Sequence, residues 1–467
     1  MGDIEPTMAD LCAACGGRPS GGKLGVMFAG ASLDTRETGR GNVFFALKGT
    51  RTDGHRFVRE AAGRGAAGAV VENAPSPRPP AGFPLIRVRS TARALADSAA
   101  WWRRRYRIPV VAITGSNGKT TSKDLAAHVL TGAFGAGVTA TSGNRNNHLG
   151  VPLTLFRIGA GTRVAVLEMA MNHRGEIGRL ASIAAPGVGV ILNASLAHLG
   201  FLGSVEGVAR AKAELIAALP SGGYAILNAG DPAVWEKRGL TRARVLGFGI
   251  GTGEVRAERV KLDGTGRPGF VLRTPSGSAR VRLGFPGAHN AGNAVAAAAV
   301  GYVFGMEPAE IASRLSCFRP RARMRFENRR LPGGARALVD CYNANPASVS
   351  AALSHLEGIG AHRPVLVLGE MLELGPGSVK EHRRIGRAAA RLCPSLLAGI
   401  GRGAREIVAE GRRAGVSRAA WHAKAADALD DVRSALKPGR VVLFKGSRKV
   451  GLEKLVDLLG GRGHRAV

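Results

Sequence analysis

Residues 110–123 read VVAITGSNGKTTSK, and the rest of the chain can be laid out on either side of them. The apolar, β-branched run at 110–114 predicts a buried strand. Gly115 and Gly118 bracket a tight loop, and a helical pattern begins near Lys119 and runs towards Leu130. Strand, glycine-rich turn and helix N-terminus together make an anion site. Unpaired amide N–H groups of Ser116, Asn117 and their neighbours converge with the positive end of the helix dipole. Lys119 has the reach for outer phosphates, and the Thr120 hydroxyl, followed by Thr121, suits Mg²⁺. The spacing is not the full Walker pattern, whose first glycine would fall at Ile113. The signal is a shortened phosphate loop, TGxxGKTT. An ordinary βα turn with a chance Gly-Lys-Thr is the competing reading, and the strand before and helix after count against it.

The 467 residues suffice for about three domains, and segments are predicted at 1–107, 108–318 and 319–467. Lys plus Arg number 66 and Asp plus Glu 34, a net charge of +32. That balance favours acidic partners: nucleic acid, anionic lipid or a polyanionic small substrate. The basic residues are mostly scattered. The densest run, Arg103-Arg104-Arg105 with Arg107, abuts Trp101-Trp102 and reads as a solvated, amphipathic connector, with a stacking nucleic-acid patch as the alternative. The five cysteines (Cys12, Cys15, Cys317, Cys341, Cys393) are odd in number and widely spread, which fits a reducing compartment. Cys12 and Cys15 form a CxxC without a second pair, and share one helix face. The first residues start no signal peptide and no apolar run approaches a membrane span, so a cytoplasmic protein is expected.

In the first segment, 43–47 reads as a buried strand followed by the turn-rich KGTRTDGH at 48–55, a helix over 57–65 and a strand at 69–71. The proline-rich stretch 75–84 is a surface linker. Asp34-Thr35-Arg36 with Lys48 could hold a phosphate or a sugar, or be a plain surface turn. In the second segment, strands predicted at 110–114, 163–167, 188–192 and 224–227 alternate with helices, which means a parallel sheet with crossovers. In such sheets ligands sit off the carboxyl ends of the strands. Glu168 follows one strand and Asn193 another, with His198 in the loop beyond. Glu168 is the natural Mg²⁺ ligand or holder of a metal-bound water; His198 alone is a weak signal. A helix over 205–219 carries Lys212 among Ala211, Ala213 and Ile216. That lysine either snorkels to solvent or has its amine kept neutral and used chemically. The loop GNRNNHLGVP at 143–152 offers amides, Asn144 and Asn147 among them, for a polar substrate, or for turns. Asn290 and Asn293 open an Ala-rich helix on one face and could meet an adenine edge or cap the helix. In the third segment Arg321, Arg323 and Arg325 precede a strand ending at Asp340, then CYNANP. Further strands at 365–368 and 441–444, the latter followed by Lys445-Gly446-Ser447-Arg448, alternate with helices over 382–392 and 404–414. This is a second doubly wound unit.

Taken in order and spacing, the motifs are similar to those of the Mur ligase family, ATP-dependent amide-forming enzymes of peptidoglycan precursor synthesis. They are DTR at 34–36 with ALKGTRTDGH at 46–55, TGSNGKTT at 114–121, NRNNHLGVP at 144–152, EMAMN at 168–172, AHLGFLGS around His198 and AKAEL around Lys212. HNAGNA at 289–294, ARM at 322–324, DCYNANP at 340–346, GEMLELG at 369–375 and FKGSR at 444–448 complete the set. The YNANP stretch marks the branch that joins D-alanyl-D-alanine to UDP-N-acetylmuramoyl-tripeptide. The Asp-Asn-Pro-Arg motif of the branch that adds a diamino acid is absent.

The resemblance implies three α/β domains: a small N-terminal one, a central P-loop-type, mostly parallel sheet that binds ATP, and a C-terminal Rossmann-like doubly wound unit. It implies that the first domain binds the UDP end near Thr35, Arg36, Lys48, Gly49, Asp53 and His55, with Asn144 and Asn147 facing the same substrate. ATP would lie on 115–121 with Lys119 on its phosphates. Thr120 and Glu168 would hold one Mg²⁺, and His198 and a carbamylated Lys212 a second. Asn290 and Asn293 would meet adenine, while Arg323 and Asp340 close over phosphate and ribose. Tyr342, Asn343, Asn345, Lys445 and Ser447 would receive the dipeptide. A monomer without a nucleic-acid partner is expected. The alternatives are another Mur-type or folylpolyglutamate-type ligase, and a basic nucleotide-binding protein acting on nucleic acid, for which no recognisable module is present. Two positions depart from the family pattern: Ala170 stands for a glycine, and Glu370 for an aspartate.

Overall fold

Apolar strand runs occur in three blocks of the sequence, and each block closes its own sheet. The computed structural model describes residues 6–50, 52–195, 202, 204–320 and 324–460. The first sheet has five strands in the order Arg18–Gly21, Leu85–Arg87, Gly68–Val71, Val43–Phe45, Ala31–Ser32, antiparallel only at its first pair. The second has nine, in the order Gly277–Arg282, Pro268–Thr274, Val255–Leu262, Arg244–Ile250, Tyr224–Asn228, Val188–Ile191, Val110–Thr114, Val164–Glu168, Val138–Ala140. The third has six: Glu327–Arg330, Arg336–Asp340, Val441–Lys445, Val365–Gly369, Leu396–Ile400, Ala419–His422.

Seven strands of the central sheet run parallel, as the strand–helix rhythm predicts. The last two do not. Pro268–Thr274 and Gly277–Arg282 add an antiparallel hairpin at the edge. Its residues alternate buried and exposed because one face meets solvent, unlike the continuous apolar runs of strands covered on both sides. Val164–Glu168 extends one residue beyond the predicted strand and takes Glu168 into the sheet end. Over one face lies the helix Asn290–Val303, whose alanines allow close packing on the phosphate-loop helix Lys119–Phe134.

The first two sheets share a core. Phe28, Phe45, Trp102, Phe156 and Ile158 belong to one buried cluster, with ring centroids 5.4 Å apart for Phe28–Trp102 and Trp102–Phe156 and 6.1 Å for Phe45–Phe156. The connector before the central sheet is amphipathic, as expected, with Arg104, Arg105 and Arg107 exposed, but its other face is packed into this core. Trp102 and Arg103, on the helix Thr91–Arg104, are both buried. The indole N–H of Trp102 donates to the Ile158 carbonyl at 2.9 Å, and the Arg103 guanidinium donates to the carbonyls of Ala184, Tyr106 and Ile108. A buried guanidinium is tolerated because its donors are spent on carbonyls. Cys12 lies buried on the helix Met8–Ala14, and burial pushes the Cys15 thiol up to about 11, so both are inert. The third domain has its own two cores, one on each face of its sheet. No helix among the described residues is long and apolar enough to cross a membrane.

Candidate active site

The phosphate loop sits at the carboxyl end of Val110–Thr114, and its neighbours hold it in shape. Gly118 has φ +80°, and a Cβ there would lie 2.2 Å from Asn293 Oδ1, so only glycine fits. Asn193, at the end of the adjacent strand, braces the loop in both directions: its Oδ1 accepts from Asn117 N at 2.8 Å and its Nδ2 donates to Asn117 O at 3.1 Å. Lys119 folds back over the loop, donating to Gly115 O at 2.7 Å and Ser116 O at 3.3 Å. Burial and the nearby Arg325 hold its pKa below the usual lysine range, while Glu168 pulls it up. Asn290 and Asn293 are buried and bonded within the protein. Asn293 Nδ2 donates to Asn290 Oδ1 at 2.9 Å, Asn293 Oδ1 accepts from Ser122, and Asn290 Nδ2 donates to Pro286 O.

Glu168 is 1% exposed. Its Oε1 accepts from Asn146 Nδ2 at 2.6 Å, while Oε2 is buried without a hydrogen-bond partner. A buried carboxylate oxygen left bare is costly unless a cation meets it. With the Thr120 hydroxyl at the helix N-terminus, this oxygen fits a hard cation. Among the described residues no group of three His, Cys, Asp or Glu forms a cage. That suits Mg²⁺, which takes one or two protein ligands and completes its shell with water and substrate phosphates. Lys212 is 2% exposed, and burial first, then the charge of Lys119, pushes its pKa well below the usual lysine range. His198 and Arg323 lie outside the described residues.

The third domain reaches into the same place. Arg325 Nη2 donates to Thr120 Oγ1 at 3.0 Å, and its guanidinium carbon stacks 4.1 Å from the centre of the Tyr342 ring. Asn345 caps the helix Pro346–Gly358 through Ser348 N and donates from Nδ2 to Asn117 Oδ1 at 2.7 Å. Asp340 and Lys445 pair at 2.8 Å, and Lys445 also donates to Asn343 O. A cavity of about 460 Å³ is lined by Ser116 to Thr121, Glu168, Asn290, Asn293, Asp340, Tyr342, Asn343, Asn345 and Lys445. Ser447 is turned away into the third domain, where its Oγ accepts from Leu372 N. Glu370 caps a helix of that domain, its Oε2 accepting from Gly403 N at 2.9 Å. Ala170 lines the cavity, and its N–H donates to Asn146 O.

The candidates of the first domain do not line that cavity. Thr35 is buried, and Asp34 pairs with exposed Arg36 at 2.6 Å, which lowers the aspartate pKa to about 2. Lys48 bridges to Asp53, and Gly49 N donates to Thr52 O. Both ring nitrogens of His55 are spent, Nδ1 on Asp53 at 2.6 Å and Nε2 accepting from Glu72 N and Asn73 N. Asn144 is exposed, and Asn147 Oδ1 accepts from Leu149 N at 3.2 Å and Gly150 N at 2.9 Å.

Two residues that the sequence reading does not single out, Arg325 and Asn146, stand in contact with Thr120 and Glu168. Three arginines at alternate positions give no sequence signal for choosing among them. Arg321 and Arg323 lie outside the described residues; on either side of Arg325, Met324 and Phe326 have φ of +62° and +52°. That left-handed pair costs roughly 1–2 kcal/mol per residue, and burying Phe326 offsets it. Phe326 is wedged between His289 of the central domain and His355 of the third, with both centroid distances 5.1 Å.

His355 is 1% exposed, with both ring nitrogens unpartnered, and it packs against Gly266, where a Cβ would lie 2.1 Å from its Cε1. Burial first, then the charges of His289 and Arg336, push its pKa down to about 4. The neutral ring is the form the interface accepts. Its contribution is full above the ordinary histidine pKa near 6.5 and is lost as pH falls towards 4, about 3 kcal/mol in all. A urea titration across this window should show an acid limb that His355→Leu flattens. An unchanged limb would remove His355 from the interface account.

Family models match three stretches: "Mur ligase family, catalytic domain" over 28–103, "Mur ligase middle domain" over 113–301 and "Mur ligase, glutamate ligase domain" over 324–448. The chain is 38% identical to the UDP-N-acetylmuramoyl-tripeptide–D-alanyl-D-alanine ligase of Mycobacterium tuberculosis, over 98% of each chain. It is 33% identical to the enzyme of the same name from Escherichia coli, over 98% of this chain and 99% of that one. Among solved structures it resembles MurF from Acinetobacter baumannii with a TM-score of 0.87 and 32% identity, covering 97% and 98%. MurF ligase from Thermotoga maritima, solved with ADP, gives a TM-score of 0.80 at 26% identity, covering 93% and 97%. Identity on this scale along nearly the whole length, on the same three sheets, makes this chain a member of the Mur ligase family.

Proposed function

We propose that this protein joins D-alanyl-D-alanine to UDP-N-acetylmuramoyl-tripeptide with hydrolysis of ATP to ADP and phosphate, in the cytoplasmic stage of peptidoglycan synthesis. The single observation that carries the reading is the meeting of domains on the phosphate loop. Arg325 and Asn345 of the third domain touch Thr120 and Asn117, and Glu168 keeps a bare oxygen alongside.

The tripeptide's terminal carboxylate attacks the γ-phosphate, giving an acyl phosphate and ADP. The dipeptide amine then attacks that carbonyl and phosphate leaves. Carboxylate and triphosphate repel each other, so the site must supply positive charge before reaction. Lys119 provides it from the loop, and Arg325 from the third domain. Mg²⁺, held by Thr120 and Glu168, would shield phosphate charge when bound. Lys212 is buried with its pKa lowered, which favours the free amine that carbamylation requires, and with His198 it would serve a second cation. The first domain would hold the UDP end through Thr35, Arg36 and the turn at Lys48, with Asn144 and Asn147 facing the peptide. Asn290 and Asn293 would turn to adenine, Asp340 to ribose, and Tyr342, Asn343 and Lys445 to the dipeptide. Closure of the third domain keeps water from the acyl phosphate.

Phosphate release should require ATP, the nucleotide tripeptide and D-alanyl-D-alanine together. Diaminopimelate or glutamate offered in place of the dipeptide should give none. Release with glutamate alone would move the protein to another branch of the family.

A further inference from the structure

Asn146 sits in a loop that touches two domains. Its Nδ2 donates to Glu168 Oε1 at 2.6 Å, and its carbonyl accepts from Ala170 N at 2.8 Å, so the loop is bonded to the strand end by side chain and main chain. The next residue back, Arg145, pairs with Glu37 of the first domain. The loop closes on Gly150, where a Cβ would lie 2.3 Å from the Arg145 main chain, so its path leaves no freedom. On its other side Glu168 is held at the main chain, its N–H donating to Thr141 Oγ1 at 3.0 Å, while buried Lys123 donates to the Thr141 carbonyl at 2.8 Å. The carboxylate thus has one oxygen engaged by an amide donor and the other bare and buried.

We propose that Asn146 is a positioning residue: it fixes the Glu168 carboxylate so that Oε2 is the oxygen presented to a divalent cation at the phosphate loop. The claim rests on reading the loop as a site for a metal–nucleotide complex. Without the amide donor the carboxylate can rotate, and Oε1 in turn is left bare. Outer partners of metal ligands are worth about 10–100-fold in metal affinity.

Mn²⁺ binding to the full-length chain in the presence of ADP, followed by electron paramagnetic resonance, tests this without turnover. Asn146→Ala should weaken Mn²⁺ binding about 10-fold or more, and Asn146→Gln, which keeps the donor, should recover part of it. His148→Ala is the control: this exposed side chain of the same loop leaves the Asn147 turn and the Asn146–Glu168 bond in place, so metal affinity should hold. In steady-state assays Asn146→Ala should raise the Mg²⁺ half-saturation more than the KM for the nucleotide tripeptide. Equal Mn²⁺ affinity in wild type and a folded Asn146→Ala, or equal losses in Asn146→Ala and His148→Ala, would overturn the inference. Failure of the wild-type chain to bind Mn²⁺ with ADP would instead overturn the reading of the site, and this inference with it.

Discussion

Lys119→Ala should reduce turnover by about three orders of magnitude or more while leaving the fold in place. The expected size follows from what the amine does. It is the cation nearest the loop, and removing one preorganised charge or donor from a developing anion costs about 10²–10³ in kcat. Here the reacting partners are themselves a carboxylate and a triphosphate, so the loss falls on bringing them together as well as on the transition state. The fold should survive because Lys119 donates only to carbonyls of its own loop, Gly115 and Ser116, and no strand depends on it. Loss of the ammonium ends its burial cost and relieves its repulsion with Arg325, against the lost attraction to Glu168. Stopped phosphate release with an unshifted circular-dichroism melt is the expected result. Ligation at near wild-type rate would show that the phosphate loop is not where ATP reacts.

Arg325→Ala should lower kcat by about 10²–10³ with a smaller effect on the KM for ATP. The guanidinium comes from the third domain, so it acts on the reaction only after that domain has closed. The Tyr342 ring, the Phe326 wedge and two left-handed residues hold it in one orientation. Arg325→Lys keeps the charge and loses the planar stack, so it should recover only part of the rate. A drop confined to KM, with kcat intact, would make Arg325 a binding residue alone.

Much of this site was legible in the sequence because its parts are local. A β-branched run, two glycines and Lys-Thr-Thr are contiguous, so strand, turn and helix N-terminus could be read without any distant contact. Glu168 was legible for a related reason: parallel sheets put strand ends in one cleft. What could not be read depends on distant partners. Nothing in the sequence around Arg325 shows that it meets Thr120; that depends on Phe326 finding His289 and His355 in two different domains. Among Asn144, Asn146 and Asn147, only the folded loop shows which amide meets Glu168. In the Trp101-Trp102 and arginine run, Arg104, Arg105 and Arg107 are exposed as expected, and Arg103 alone of the four departs. Arg103 is buried because three main-chain carbonyls happen to face it. The edge hairpin at 268–282 escaped because the parallel rhythm before it gave no warning of a change in direction.

The interlocked rings of Phe28, Phe45, Trp102 and Phe156 bear on how such a chain can evolve. The N-terminal portion cannot be traded for another without stripping apolar surface from its neighbour. The final third keeps its hydrophobic interior to itself and meets the remainder through polar tips at the phosphate loop, through Phe326 against His289, and through His355 and Ile359 against Gly266. A lineage can therefore remodel the interior of that third without disturbing its neighbours' cores, provided the Arg325 and Asn345 contacts to the phosphate loop are kept.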